Sequence, residues 1–341
     1  RPSASERFNC INFALFDKYP GYVFSFEGAF RYQLMQEYYP AAYERLKGYV
    51  SEGRWVPVGS WVDAVDTNLP AAESLIRHAL YGQAFFRREF GLTSRDVFLP
   101  DCFGFSYALP SIAAHCGLLG FSTQKLTWGS AYGVPFDLGL WEGVDGASVV
   151  AAPNPGSYVA RIETDLSADT AWVATIYDQA ERSGVCAGYK YFGTGDTGGA
   201  PTEGSVQWLE RSLQGAGPLR VVPAGADWLA NGLAASLAAG SLPTLRSGAG
   251  PAPGLALGIR PGMHALEHAG PLRALPHYRG ELLMTDHGAG CYTSQSAMKR
   301  WNRKNERLAD AAERAAVIAH WLGGLEYPRE TLREAWTRFL W

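Results

Sequence analysis

The sequence is short of charge, and the charge that it has is nearly balanced. Charged residues make up 18% of the 341 residues, with 30 basic and 33 acidic side chains. Nucleic-acid binding relies on a positive field that collects phosphates, so this balance argues against a nucleic-acid partner. Apolar residues account for 47% of the chain, which excludes a disordered polyelectrolyte and predicts a globule with a large core.

Long apolar runs and paired cysteines are also missing. No stretch approaches the roughly 18 uninterrupted apolar residues that a membrane-spanning helix needs, so we expect no transmembrane segment and no membrane partner. The five cysteines are an odd number, and no two form the C-x-x-C pair found in zinc ribbons and redox sites. We therefore expect free thiols, which leave the cellular compartment open.

Neither end of the sequence carries a start or stop signal. The chain begins at Arg1 without an initiator Met or a signal peptide, and Trp341 lies inside an amphipathic pattern without Gly or Pro. These ends predict that the chain is part of a longer protein. A cut helical end that exposes apolar residues would favour self-association into a homo-oligomer.

Helical and strand-like segments alternate over most of the chain. Helices are expected over 32–51, 75–90 and 205–213, and strands over 55–59, 97–99, 185–192 and 219–222. Such alternation is typical of an α/β architecture with parallel strands and helical crossovers. A stretch rich in Ala, Gly and Pro, over 232–258, is expected to be a surface excursion.

The pattern changes near residue 290. From Gln295 to Leu322 it is purely helical, and a second helix is expected after Pro328. We therefore divide the chain into an α/β domain at 1–290 and the beginning of a helical bundle at 291–341.

Three polar residues lie where predicted strands end, namely Asp101, Asp196 and His287. Reactive groups of α/β barrels and doubly wound sheets collect at such positions, so these residues are candidates for chemistry. Two carboxylates facing each other across a cleft are what glycoside hydrolysis needs. Each residue alone is explained as well by a turn, a cap or a satisfied surface side chain.

The sequence around Asp101 is more informative than its position. Leu99-Pro100-Asp101-Cys102-Phe103-Gly104-Phe105-Ser106 resembles the nucleophile motif of glycoside hydrolase family 38, the retaining α-mannosidases. Further segments resemble parts of that family in the right order: 59–63 with 66–70, 193–202, 292–295 and 299–303. The resemblance covers nearly the whole chain, and its separated motifs agree.

The resemblance implies both a fold and an activity. The fold would be an incomplete (β/α) barrel-like catalytic domain that lacks its first strand, followed by the start of the bundle. The activity would be retaining hydrolysis of α-mannosidic bonds in glycans or oligosaccharides, with one zinc ion. By position, Asp101 would be the nucleophile and a zinc ligand, Asp196 the general acid/base and His287 a second zinc ligand. The residues implied to contact mannose are Trp61, Asp66 and Phe103.

Part of that zinc site has no counterpart here. The family's two other ligands come from a His-x-Asp motif on its first strand, and residues 1–9 contain neither His nor Asp. Two further ligands are therefore expected upstream, and this chain alone is expected to bind metal weakly and to turn over no substrate. A non-catalytic carbohydrate-binding or regulatory module is the alternative.

Two other motifs suggest different chemistry. Residues 193–198 match G-x-G-x-x-G, which makes a nicotinamide-dependent dehydrogenase a remote alternative. However, Asp196 would place negative charge where the backbone should hold a pyrophosphate, and no acidic residue follows at the usual ~20 residues. Residues 264–268 spell H-x-x-E-H, but Pro and Gly on both sides predict a loop rather than the helix of a metalloprotease.

Overall fold

The computed structural model describes residues 4–154, 156–183, 185–196, 198–238, 258–259 and 275–340. Their helices are α1 (Ala4–Lys18), α2 (Ala29–Tyr38), α3 (Pro40–Ser51), α4 (Ala72–Phe90), α5 (Leu109–His115), α6 (Thr170–Ser183), α7 (Glu203–Leu213), α8 (Trp228–Ala238), α9 (Ser296–Gly323) and α10 (Arg329–Phe339). Their strands are β1 (Phe24–Glu27), β2 (Trp55–Val58), β3 (Asp96–Phe98), β4 (Gly120–Ser122), β5 (Gly139–Glu142), β6 (Ser148–Ala152), β7 (Leu219–Arg220), β8 (Gly258–Ile259) and β9 (His277–Arg279). Within the described residues, short 3₁₀ helices span Lys125–Trp128 and His287–Tyr292.

Most pairings among the described strands are parallel, and β7 and β8 form an antiparallel pair. β1 pairs with β2 in parallel, and a second sheet has the order β3-β4-β6-β5-β9, in which only β5 and β6 are antiparallel to each other. The backbone NH of Gly59, just after β2, donates to the Asp96 carboxylate at the start of β3 over 3.2 Å. The expected α/β class is therefore confirmed, while closure into a barrel stays a prediction.

The helix expected over 75–90, which has a long apolar face, is confirmed as α4. α4 buries Leu75, Ala79 and Phe86 on one side and ends at Gly91, whose φ of 70° is the left-handed conformation that glycine adopts without strain. The single helix expected over 32–51 is two helices, because Pro40 occupies the first turn of α3. The helices expected from Gln295 and after Pro328 are confirmed as α9 and α10.

The strand expected over 185–192 is wrong. Residues 185–192 are in the described part of the chain, and none of them is assigned to a strand. The side-chain amide of Gln179 donates to the carbonyl oxygens of Val185 and Ala187, so a side chain takes acceptors that a neighbouring strand would otherwise use. Of the stretch 232–258, residues 232–238 belong to α8, and 239–257 lie outside the described residues, as does the H-x-x-E-H segment at 264–268.

The core lies on both sides of the strands. One apolar cluster packs α1 to α4 around Trp55, and another packs α4 and α5 around Phe121 and Trp141. None of the described helices is both long and apolar enough to cross a bilayer. The four cysteines with described side chains are free thiols: Cys102, Cys116, Cys186 and Cys291.

Asp96, the first residue of β3, is a buried carboxyl group that is affected by the charge of Asp227. Asp96 is 2% exposed, and its Oδ1 accepts from Ser94 Oγ at 2.5 Å and from the NH of Gly59. Its Oδ2 is buried and has no hydrogen-bond partner among the residues that the structure describes. Burial, and next the charge of Asp227, raises the pKa of Asp96. Burial also raises the pKa of Asp227.

Replacing Asp96 by Asn is therefore expected to stabilise the protein at alkaline pH. Because the folded state holds this proton more tightly than the unfolded chain, the free energy of unfolding falls as pH rises above about 4, the ordinary range of an aspartate. Asn keeps the acceptor oxygen and carries no charge, so the gain should be about 1–3 kcal/mol at pH 8 and near zero at pH 4. Denaturant unfolding at both pH values measures this, and an equal effect at both would contradict it.

Two carboxylates of α9 form hydrogen bonds and an ion pair with α4 and the residue before it. Glu306, which is buried, accepts from the NH of Ala71 at 2.6 Å and from Ser74 Oγ at 2.8 Å, so it satisfies the N-terminus of α4. Glu313 forms a two-point ion pair with Arg77 at 2.8 and 2.6 Å. Trp336 of α10 contacts both partners of this ion pair. Its ring lies 4.0 Å from the Arg77 guanidinium, and its indole NH donates to Glu313.

Candidate functional site

Asp101 stands on a loop that is tied to the segment before His287. β3 ends at Phe98, and the loop that follows forms an antiparallel bridge in which Phe105 and Leu282 exchange backbone hydrogen bonds of 2.7 and 3.0 Å. The carbonyl of Gly104 also accepts from Asn68 Nδ2 at 3.0 Å. Two segments that are remote in the sequence are thereby held side by side, each with a candidate residue a few positions away.

His287 is exposed and begins a 3₁₀ helix. The Asp286 carboxylate accepts from the NH of His287 at 2.8 Å, and the carbonyl of Gly129 accepts from the NH of Thr285 and of Asp286 at 2.8 and 2.9 Å. A Cβ on Gly129, whose φ is 159°, would lie 2.8 Å from the Cβ of Asp286. Only glycine permits this approach, which brings His287 beside Trp128.

Asp101 and His287 meet at one group of side chains, here called the lysine cluster: Phe103, Lys125, Trp128 and Tyr158. Lys125 Nζ lies 2.5 Å from Asp101 Oδ1, 4.2 Å from the centre of the Trp128 ring and 5.6 Å from that of Phe103. The His287 ring centre lies 5.2 Å from that of Trp128 and 6.0 Å from that of Phe103. The two residues predicted to share a metal ion therefore contact the same cluster from different sides.

Lys125 carries a buried positive charge. Its side chain is 6% exposed, whereas that of Asp101 is 56% exposed. Burial by itself lowers the pKa of Lys125, but the hydrogen bond and the charge of Asp101 outweigh it and raise the pKa above its usual value. The ammonium group is therefore a fixed cation beside an accessible carboxylate.

Tyr158 joins Asp101 to the loop that carries Asp196. Its hydroxyl donates to Asp101 Oδ1 at 3.1 Å. A Cβ built on Gly195 would lie 2.3 Å from the Tyr158 ring, so the loop 193–196 packs directly against that ring. Asp196 follows at once, exposed and with a φ of 62°. The loops that carry the two predicted acids thus both contact Tyr158.

The same loop does not form a dinucleotide site. No described strand leads into residues 193–196, and α7 begins only at Glu203, capped by the Thr202 side chain. A pyrophosphate site needs the glycine-rich turn to lead straight from a strand into a helix N-terminus. The dehydrogenase alternative therefore has no support in the fold.

A cavity of about 310 Å³ opens beside Asp101, with Pro100 and Tyr158 in its wall. Glu27 and Arg31 are among its lining residues, and Arg31 pairs with Glu27 at 3.0 Å and with Asp63 at 2.9 Å. Burial raises the pKa of Glu27 to about 7, against the lowering effect of Arg31. The cavity is therefore lined by one weakly acidic carboxyl group. A larger hollow of about 790 Å³ lies between α9 and α10 and contains none of the candidate residues.

The residues predicted to contact mannose fall in different environments. Phe103 is half-buried and belongs to the lysine cluster. Asp66 is half-buried, accepts from the NH of Asn68 at 2.8 Å and has its pKa raised by burial. Trp61 is 1% exposed and packs in the core against His78. In this conformation its ring offers no face to a ligand, so a sugar contact of Trp61 stays a prediction.

Two donors suited to zinc lie at the lysine cluster, the carboxylate of Asp101 and the imidazole of His287. A catalytic zinc ion usually takes three protein ligands. The described residues contain no group of three or more His, Cys, Asp or Glu side chains that could hold a metal. Asp101 and His287 could therefore supply two of the ligands that a zinc ion needs, which is part of a site.

The sequence reasoning missed Lys125 and Tyr158. Lys125 follows β4 by three residues, so the rule that selected Asp101 by its place after a strand could have found it. Tyr158 has no local signal, because it reaches Asp101 only through the packing of two loops. Both residues contact the predicted nucleophile directly.

Comparison with known proteins gives two family matches. Residues 6–233 match the N-terminal domain of the glycosyl hydrolases of family 38, and residues 288–341 match the middle domain of α-mannosidases. The first match ends at residue 233 and the second begins at residue 288.

Curated relatives and solved structures agree with these matches. The chain is 39% identical over 197 residues to α-mannosidase G of Dictyostelium discoideum, covering 57% of this chain and 17% of that protein. It is 35% identical over 201 residues to human α-mannosidase 2C1, covering 58% and 19%. The crystal structure of an α-mannosidase from Enterococcus faecalis is similar in fold, with a TM-score of 0.64 and 18% identity over 97% of this chain and 34% of that one. The chain thus spans about a fifth of the curated relatives' length.

Proposed function

Because this chain belongs to family 38 of the glycosyl hydrolases, we propose that it forms the catalytic core of an α-mannosidase. Its substrate would be a mannose-containing glycan or oligosaccharide, as the names of its relatives suggest. The catalytic core would be the α/β domain at 1–290, and 291–341 would begin a helical bundle.

The proposed mechanism is a retaining double displacement. The Asp101 carboxylate attacks the anomeric carbon while Asp196 gives a proton to the departing oxygen, and Asp196 then takes a proton from the water that releases mannose. Retaining enzymes need the two carboxyl groups ~5 Å apart. The shared contact of both loops with Tyr158 supports this pairing.

Asp101 and His287 would hold the zinc ion. Bound zinc would supply a Lewis acid that orients sugar hydroxyls. Two further ligands would come from outside the described residues. Phe103 would offer the sugar an apolar face, and Asp66 would accept hydrogen bonds from its hydroxyls.

One observation carries the proposal. An exposed carboxylate, Asp101, is held by Lys125 and Tyr158 next to a cavity whose wall contains Pro100 and Tyr158, and it lies on the loop whose sequence resembles the family's nucleophile motif. A nucleophile needs this combination of access and fixed orientation.

The test is hydrolysis of 4-nitrophenyl α-mannoside by the complete product of the gene that encodes this chain. We expect turnover of the α-mannoside but not of the β-mannoside, loss of activity in a chelator and its return with Zn²⁺. Proton NMR should show α-mannose as the first product, since two displacements retain configuration. An initial β-mannose product would contradict the mechanism. Tight zinc binding without any turnover would favour the non-catalytic carbohydrate-binding alternative.

A further inference from the structure

The Asp101 carboxylate is not symmetric in this protein. Its Oδ1 takes two donors, the Lys125 ammonium at 2.5 Å and the Tyr158 hydroxyl at 3.1 Å. Both donors are anchored on elements other than the loop of Asp101, Lys125 in the 3₁₀ helix after β4 and Tyr158 in the segment after β6. These two contacts hold Oδ1 of Asp101 in a fixed position.

Lys125 itself has little freedom to move. Its ammonium lies 4.2 Å from the Trp128 ring centre, 5.6 Å from that of Phe103 and 5.8 Å from that of Tyr158. Three aromatic rings around a cation stabilise it and hold it at one place. Its buried stem makes withdrawal from Asp101 costly, because the charge would be left in the protein without its partner.

We propose that Lys125 is the positioning residue of Asp101, and that its fixed charge acts chiefly in the second half of the reaction. The inference rests on the proposed function. It is distinct from the zinc ion, because Lys125 contacts Asp101 directly in the described chain and needs no metal to do so.

The charge balance of the two steps explains this asymmetry. In the first step a bond forms between an Asp101 oxygen and the anomeric carbon, the glycosidic bond breaks and the leaving oxygen takes the Asp196 proton, so the carboxylate loses its charge. In the second step a water oxygen bonds to that carbon, its proton goes to Asp196, and the bond to Asp101 breaks. Lys125 stays protonated throughout.

A fixed cation therefore affects the two steps differently. It stabilises the free carboxylate from which the first step starts, so it gives that step little net advantage. It stabilises the carboxylate that departs in the second step, so it accelerates release of mannose. Removing the charge should slow the second step more than the first.

Lys125→Met tests this with 2,4-dinitrophenyl α-mannoside, whose good leaving group makes the first step fast. We expect kcat to fall about tenfold or more, in line with the loss of one charge-assisted hydrogen bond, and KM to fall with it. The ratio kcat/KM should change less than threefold, and Lys125→Arg should restore kcat. The matched control is Lys304→Met, which removes a cation that lies over the Trp301 ring on α9.

Other outcomes separate this inference from the proposed function. A fall in kcat/KM with KM unchanged or raised would overturn the role of Lys125, as would an Arg variant as slow as the Met variant. Loss of the near-ultraviolet dichroism of Lys125→Met would show that this variant does not fold. The test then uses Lys125→Arg alone, and a folded Arg variant whose kcat is lowered tenfold would overturn the inference. A parent protein without any α-mannosidase activity would overturn the proposed function and the inference with it.

Discussion

Asn in place of Asp101 is expected to abolish hydrolysis of an aryl α-mannoside, with kcat falling by at least about a thousandfold. The amide is too weak a nucleophile to form the glycosyl intermediate, and losses of this size or larger follow removal of a nucleophile. The measurement is steady-state hydrolysis of 4-nitrophenyl α-mannoside by the complete gene product.

Two features of the structure sharpen this test. Asp310→Asn is a matched control, because Asp310 pairs with Arg314 on the exposed side of α9, away from Asp101 in the sequence. Asp101→Asn also leaves Lys125 buried without a counter-charge, so some loss of stability is expected. Thermal unfolding separates that loss from the loss of chemistry, and a folded Asp101→Asn variant with normal activity would contradict the mechanism.

The second large effect is expected for Asp196→Ala, and it should depend on the leaving group. A general acid contributes about 10²–10⁴ in rate, mostly where the departing oxygen needs a proton. We therefore expect kcat/KM, which reports the first step, to fall about a thousandfold with mannobiose and much less with 2,4-dinitrophenyl α-mannoside.

Azide provides an independent readout of the same variant. With the carboxylate gone, the small anion can attack the glycosyl intermediate, so azide should raise the rate and yield α-mannosyl azide. Asp178→Ala is the matched control, since Asp178 pairs with Arg182 on exposed α6. A loss independent of the leaving group, with no effect of azide, would show that Asp196 is not the acid.

The sequence predicts those parts of the fold that local periodicity determines. α4 and α9 follow from apolar spacing together with a terminating glycine or a preceding loop. The segment 185–192 has the composition of a strand, but Gln179 from α6 takes two of its carbonyl groups. That pairing is made by a side chain six and eight residues earlier in the chain, and the apolar composition of the segment gives no indication of it.

The residues of the candidate site also differ in whether the sequence predicts them. Asp101, Asp196 and His287 can be selected from their place after apolar runs, and the neighbouring motifs suggest their roles. Lys125 and Tyr158 become apparent only once Asp101 has neighbours in space. The side chains that hold a reactive group come from several parts of the chain, and the spacing between them carries no signal.

The contacts between α9 and α4 determine which fragments of this protein are suitable for expression. His287 lies nine residues before α9, and that helix is anchored by Glu306 and Glu313 to the element that buries Trp61. An expression boundary placed between the two family segments would remove α9 and leave the NH of Ala71, at the start of α4, without its Glu306 acceptor. Fragments intended for crystallisation or metal titration should therefore extend at least through Trp336 rather than stop where the α/β pattern ends.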